Sequence, residues 1–313
     1  MKNSFINAVN LQGWLYQHDL KIKKSGAQSK NPGTEFISGT IEIATDEAKL
    51  NVIPVHFTYV TATTSKGNPN ATFTALKNII DGVHGSIMEH GEDKAVKLKI
   101  DTSINLNEFY SDRSGKEELV SAKRNEGGFV HVIQNFDKEE NERNLFTCDM
   151  VITGARRIEE SEDSQTPEHV IIKGAIFDFR KSLMPVEFVV TNPRGMDYFE
   201  NAGASQTTPF CTQIKGRQIS QTIVKKEVKE SAFGDAVVEE KRSSKKEFNV
   251  FWASQNPYEW DDESFITAKE LEDKMKERQT YLATVKQRQD EYKASQANAK
   301  ATTEAPTQAG FNF

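Results

Sequence analysis

Two short motifs occur twice in this chain, in the same order and at nearly the same spacing, and this repetition limits the possible folds more than any other feature. Ile37-Ser38-Gly39-Thr40-Ile41 is echoed by Ile172-Lys173-Gly174-Ala175-Ile176, and Pro54-Val55-His56-Phe57 by Pro185-Val186-Glu187-Phe188. Recurrence on this scale implies a supersecondary unit used twice. The spacing is slightly tighter in the second copy, which predicts a shorter turn around Arg180 to Leu183. Two unrelated β domains sharing short identities by coincidence are the other reading. At 313 residues the chain has room for two domains of ordinary size.

Within the first copy, β-branched and aromatic residues alternate between Gly, Asn, Pro and Ser turns. The pattern predicts strands over about 9–23, 36–44, 50–60, 95–101 and 128–133, the last after a long polar connection. A helix falls between the third and fourth: Asn70 is its natural N-cap, Phe73, Leu76, Ile79 and Ile80 its apolar stripe, and Gly82 its stop. That element order is the order of the OB-fold, a five-stranded Greek-key barrel. Gly13 and Gly39 suit the bends that barrel closure requires, or equally plain bulges. The second copy starts with a strand over about 146–158, with Gly154 in the place of Gly13. A helical turn at 195–201 stands in for the helix, and strands over 210–228 and 248–252 close the copy.

After the second copy the pattern becomes helical. Thr267 and Glu270 form a capping box, and Leu271, Met275, Leu282, Val285 and Tyr292 follow a 4-3 spacing interrupted by Arg278 and Gln289. At 1.5 Å per residue a helix over 267–295 spans about 40 Å, more than one small barrel covers. Its stripe packs on a barrel or pairs with a second copy of the chain. The sequence then turns to Ala, Thr, Gln, Asn and Pro, which bury too little apolar surface to order a segment. The expected fold class is mainly β: two tandem OB-like five-stranded barrels (1–138 and 139–262), a long C-terminal α-helix (263–295) and a disordered, flexible tail (296–313). The tail's aromatics Phe311 and Phe313 are candidate docking residues for a protein partner.

Several function classes are disfavoured at once. No apolar run approaches the length of a membrane span, and 1–13 lacks the plan of a signal peptide, so a cytoplasmic location is expected. Cys148 and Cys211 stand in no metal-ligand spacing. Phosphate-loop, dinucleotide, zinc-protease and serine-hydrolase motifs are absent. His84 and His90 read as solvated loop residues, and the acidic runs 159–163 and 261–263 as loop or helix-entry charge. The expectation is a non-enzyme with no metal and no cofactor.

Binding chemistry is better represented. The net charge is -6, but the charges balance over the first 135 residues and the acidic excess lies downstream. Lys21, Lys23, Lys24 and Lys30 sit at the first inter-strand connection, Lys66 before the helix, and Lys123 and Arg124 in the last connection, near Trp14, Tyr16 and Tyr59. The second copy offers Arg156, Phe179, Arg180, Lys215 and Arg217. Single-stranded nucleic acid needs this combination, because cations track phosphates while unpaired bases stack on rings. Trp14, Phe57 and Tyr16 are also candidates for the core of a small barrel.

Gly13-Trp14-Leu15-Tyr16, the run from Asn31 to Gly39, the run from Ser121 to Phe129, Gly174-Ala175-Ile176-Phe177 and Glu230-Ser231-Ala232-Phe233-Gly234 resemble a group of proteins encoded by phages and prophages of Gram-positive bacteria. The likeness covers most of residues 10–290. It implies single-stranded DNA binding through OB-like domains, a role in phage DNA replication or recombination, and the host cytoplasm as the site of action. Bacterial single-stranded DNA-binding proteins with a C-terminal docking tip carry an acidic run before the final phenylalanine. This chain lacks that run, which puts docking of replication or recombination proteins through Phe311 and Phe313 in doubt. The alternative is a non-catalytic phage structural or adaptor protein that uses the barrels for protein–protein contacts, with the 267–295 helix holding a homo-oligomer together.

Overall fold

The structure, a computed structural model, describes residues 1–2, 4–27, 29–160, 167–229, 233 and 237–303. The first copy supplies β1 (Asn7–His18), β2 (Lys21–Lys24), β3 (Glu35–Ala44), β4 (Val52–Thr61), α1 (Ala71–Ile80), α2 (Ile87–His90), β5 (Lys97–Ser111) and β6 (Glu118–Ile133). The second supplies β7 (Asn144–Ile158), β8 (His169–Phe177), β9 (Leu183–Val190), α3 (Pro193–Asn201), β10 (Phe210–Lys229) and β11 (Val237–Ala253), followed by α4 (Ala268–Thr303).

Strand pairing closes each copy into a barrel. β1 pairs antiparallel with β3 and β5, β3 with β4, and β5 with β6; a parallel contact of Val55 and His56 with Asn125 and Glu126 then joins β4 to β6. The same ring recurs as β7 with β8 and β10, β8 with β9, β10 with β11, and a parallel β9–β11 closure at Asn249 and Val250. The molecule is thus mainly β, with two OB barrels and a long C-terminal helix. Period-two alternation fills the interiors: β3 buries Ile37, Ile41 and Ile43 and turns Thr40 and Glu42 outward. In both barrels the repeated glycine lies against neighbouring backbone, that of the β1–β2 link in the first and that of β7 in the second. A Cβ on Gly39 would come within 2.8 Å of the Asp19 carbonyl oxygen, and one on Gly174 within 2.0 Å of that of Val151. Gly154 meets no such constraint.

The helices between the third and fourth strands of each barrel start as their sequences require. The Asn70 side chain accepts from the Thr72 amide, and that of Asn192 from the amides of Arg194 and Gly195, with Pro193 in the first turn. The chain between β8 and β9 (178–182) is shorter than that between β3 and β4 (45–51).

Three features depart from the sequence reading. The first strand ends at His18, and Lys21–Lys24 forms a separate strand on β3. The expected polar connection 102–127 is instead an extended β5–β6 hairpin, so Lys123 and Arg124 are strand residues. The stretch reads as loop because its apolar residues are sparse, although Ile104 and Leu106 are buried in the core. α4 runs on to Thr303, past the expected end at 295, which suits a stretch with alanine at 294, 297, 299 and 301. Residues 304–313, with Phe311 and Phe313, lie outside the described residues.

The two barrels form one continuous 11-stranded sheet through β1–β7 pairing, Asn7 opposite Cys148 and Leu11 opposite Asn144. Beside this seam lies a buried polar junction. The Asn125 and Gln218 side chains exchange two 2.8 Å hydrogen bonds, Asn144 donates to the Gln218 carbonyl at 2.7 Å, and the Asn51 carboxamide accepts from the Ser220 amide at 2.7 Å. The Asn144 side-chain oxygen is buried without a partner, but the paired amides favour one relative orientation, since a slip would unpair them too. α4 clamps the pair from outside. Its capping box forms through Thr267 and Glu270, Leu271 is buried on the second barrel, and Arg278 pairs with the buried Glu108 of β5. Further along, the Gln289 carboxamide accepts from the Tyr110 amide at 2.8 Å and donates to the Tyr110 carbonyl, imitating a strand neighbour. The two residues that interrupt the apolar stripe are therefore anchors to the first barrel.

Candidate nucleic-acid interface

The register of β2 assembles a cationic and aromatic surface on the first barrel. Lys23 lies opposite Phe36 and Lys21 opposite Ser38, and directly opposed residues share a sheet face. The Phe36 and Tyr59 rings stand 4.5 Å apart, with Tyr59 49% exposed. Lys21, Lys23, Lys24 and Lys30 are all exposed, Lys24 within 3.5 Å of Glu35, and Lys66 is exposed in the connection after β4. Lys21, Lys23 and Tyr59 are thus brought together. Phe36, which sequence reasoning did not select, enters through the pairing of β2.

This face continues into a groove between the barrels. Gln17, His18, Asp19, Thr40, Glu42, Pro54, His56 and Lys246 line a cavity of about 450 Å³. A second cavity of about 390 Å³ shares Pro54, His56 and Lys246 and reaches Lys123, Arg124 and Phe248. Charge in the groove is mixed, since Arg124 pairs with Glu126 at 3.0 Å and Lys246 shares its walls with Asp19, Glu42 and Glu247. Burial, reinforced by the Arg124 guanidinium, pushes the His56 imidazole below its ordinary range, and its Nδ1 lies 3.0 Å from the Thr40 hydroxyl.

Two predicted site residues are engaged inside the molecule. The Lys123 ammonium lies 5.0 Å from the rings of both Phe188 and Phe248, donates to the Glu187 carbonyl, and is pushed down to about 8 by burial. The half-buried Trp14 meets Phe136 edge-on at 4.7 Å, and the Lys49 ammonium sits 4.4 Å over its ring. Tyr16 is half-buried one outward position further along β1.

On the second barrel the corresponding face is covered. Ala175, Phe177, Val151 and Leu183 are buried in one cluster with Phe265, Ile266 and Leu271, flanked by Phe5, Tyr258 and Trp260. Phe5 stacks on Phe177 at 4.2 Å and Tyr258 on Phe265 at 4.3 Å. The buried Asp149 carboxylate accepts from the Ile6 amide, the Lys2 ammonium and the Tyr258 hydroxyl at 2.8–2.9 Å, tying both flanking segments to β7. Phe179 is 86% exposed at the β8–β9 turn with the Arg180 guanidinium 5.1 Å from its ring, and Arg156 is exposed on β7. On β10 and β11, Lys215 sits 4.7 Å over Trp252 and Arg217 4.4 Å over Phe251.

Among the described residues no group of three or more His, Cys, Asp or Glu side chains is placed to hold a metal ion. Cys148 and Cys211 are buried free thiols, and burial raises both, Cys211 to about 12. No described helix is long and apolar enough to cross a membrane.

A family model described as YorF matches residues 6–288. No curated protein matches the sequence. Among solved structures, a deletion mutant of the single-stranded DNA binding protein from Thermus aquaticus superposes with a TM-score of 0.44 at 10% identity, covering 82% of this chain and 97% of that one.

Proposed function

The chain belongs to the YorF family, and on that premise we propose that it binds single-stranded DNA without sequence preference, in phage DNA replication or recombination. The observation that carries the reading is the surface of β2, β3 and β4, where exposed Lys21 and Lys23 flank the Phe36–Tyr59 ring pair. The second and third strands of an OB barrel are the face on which oligonucleotides lie. Lysines neutralise phosphates there, and each base stacked on a ring contributes about 1–3 kcal/mol. The choice of DNA and the phage context come from the sequence resemblance.

Fluorescence anisotropy of a labelled oligo-dT of about 30 nucleotides tests the reading, with an equal-length duplex as control. Binding falls with salt at a log–log slope of about -0.7 per phosphate contact. Lys21→Ala with Lys23→Ala and Tyr59→Ala weakens it about tenfold or more without altering the circular dichroism. Salt-independent affinity, or equal affinity for the duplex, overturns the proposal.

A further inference from the structure

We propose that the second barrel carries its own contact for single-stranded DNA, on the outward side of β10 and β11, formed by Lys215 with Trp252 and Arg217 with Phe251. The inference rests on the reading above and locates a second site for the same ligand on a different part of the barrel. On the face of the second barrel equivalent to β3–β4, Phe265, Ile266 and Leu271 cover Ala175 and Phe177 and leave a cavity of about 500 Å³ beside Pro185 whose lining holds a single cation, Lys173. A strand engaging this barrel finds more charge and open ring surface elsewhere.

The β10–β11 surface has the required chemistry. Val250 is buried, whereas Phe251 and Trp252 are both exposed, 41% and 39%. Strict alternation would return residue 252 to the interior; a register shift between Lys215 and Gly216 turns both rings outward instead. Gly216 permits that close approach, since a Cβ there would lie 2.4 Å from the Asn249 carbonyl oxygen and 2.4 Å from the Phe146 ring. Bulges commonly re-aim side chains at functional positions.

The cations here are engaged differently from most of the arginines. Arg124, Arg143, Arg157 and Arg278 are each held by carboxylates. Among the described residues Lys215 and Arg217 have no carboxylate partner; they lie over rings instead, and Arg217 spends only its Nε on the Asn141 carbonyl at 2.6 Å. A cation over a half-exposed ring offers a phosphate its charge and a base its π-face in one place, the pairing that single strands select.

The decisive experiment crosslinks the unaltered full-length chain to oligo-dT of about 30 nucleotides carrying 5-iododeoxyuridine, and locates the adducts by peptide mass spectrometry. Anisotropy is then compared between wild type and a Phe251→Ser, Trp252→Ser double variant. Adducts on the peptide containing residues 248–253 and a loss of affinity of about tenfold are expected, since two stacking surfaces disappear. Wild-type binding with no adduct in that peptide and no loss in the variant overturns this inference alone. Absence of wild-type binding at low salt overturns the functional reading together with it. Crosslinking needs no mutation, so the test stands even where the variant fails to fold.

Discussion

In the first barrel Thr40 and Glu42 face an open groove beside Pro54 and His56, whereas at the matching positions of the second barrel Ala175 and Phe177 lie buried under Phe265, Ile266 and Leu271. The two faces derive from the same repeated motif and the same strand pairing. Their fates diverge through a few outward positions. A fully buried phenylalanine contributes about 1.5–3 kcal/mol from the apolar surface it removes from water. That gain adds to what Phe265, Ile266 and Leu271 bury in covering the face, while a threonine and a carboxylate leave the same slot to solvent or ligand. An OB barrel therefore presents a site whose occupant is chosen by its outward residues, not by its topology.

The comparison breaks most visibly at Phe177. Phe177→Glu places the first barrel's carboxylate beneath the cover, where no cation waits for it, and is expected to cost about 4 kcal/mol or more. Urea unfolding reads the loss, and limited proteolysis shows cleavage newly appearing within 254–275. Unchanged stability would mean that the cover contributes little.

A smaller effect is expected where the barrels meet at Lys123, whose ammonium is pushed down to about 8 by burial against the second barrel's rings. Lys123→Met removes this desolvation cost and stabilises the protein at pH 7 by about 1–3 kcal/mol. The folded value lies below the unfolded one, so wild-type stability rises with pH between about 8 and 10.5 as the buried amine deprotonates. The variant's advantage shrinks over that window, and denaturant midpoints at pH 7 and pH 10 check it. The smallest effect belongs to the reverse exchange in the first barrel. Glu42→Phe has no segment to recruit and shifts stability by no more than about 0.5 kcal/mol.

Much of this architecture is legible in the residues. Asn70 with Leu76 and Ile79 specifies a capped helix, and the Thr267–Glu270 box marks the start of α4, because these signals are local and each residue acts on backbone a few positions away. The outer hairpins were not legible. Lys123, Arg124 and Asn125 read as a connection because they are polar, whereas Asn125 sits at the barrel closure opposite Val55 and is buried against Gln218 of the other barrel. Arg278 and Gln289 look like breaks in a helical stripe and turn out to hold it, each through a partner about 170–180 positions away in sequence.

The candidate site divides in the same way. Lys21, Lys23 and Tyr59 stand out by residue type, whereas Phe36 joins them only through the register of β2, and Phe251 and Trp252 only through a bulge against Gly216. Lys123 and Trp14 have the right chemistry but are engaged by Phe188, Phe248, Phe136 and Lys49.

By itself the sequence determined two copies of a five-stranded barrel, a helix in the first, and a long terminal helix, because alternation, capping and turn chemistry act over a few residues. Tertiary structure alone decided which outward face stays open, which lysine turns inward, and how the barrels are locked by β1–β7 pairing and the Asn125–Gln218 exchange. Those outcomes depend on what arrives from distant chain to cover each surface, and burial is a property of the assembled pair rather than of either segment.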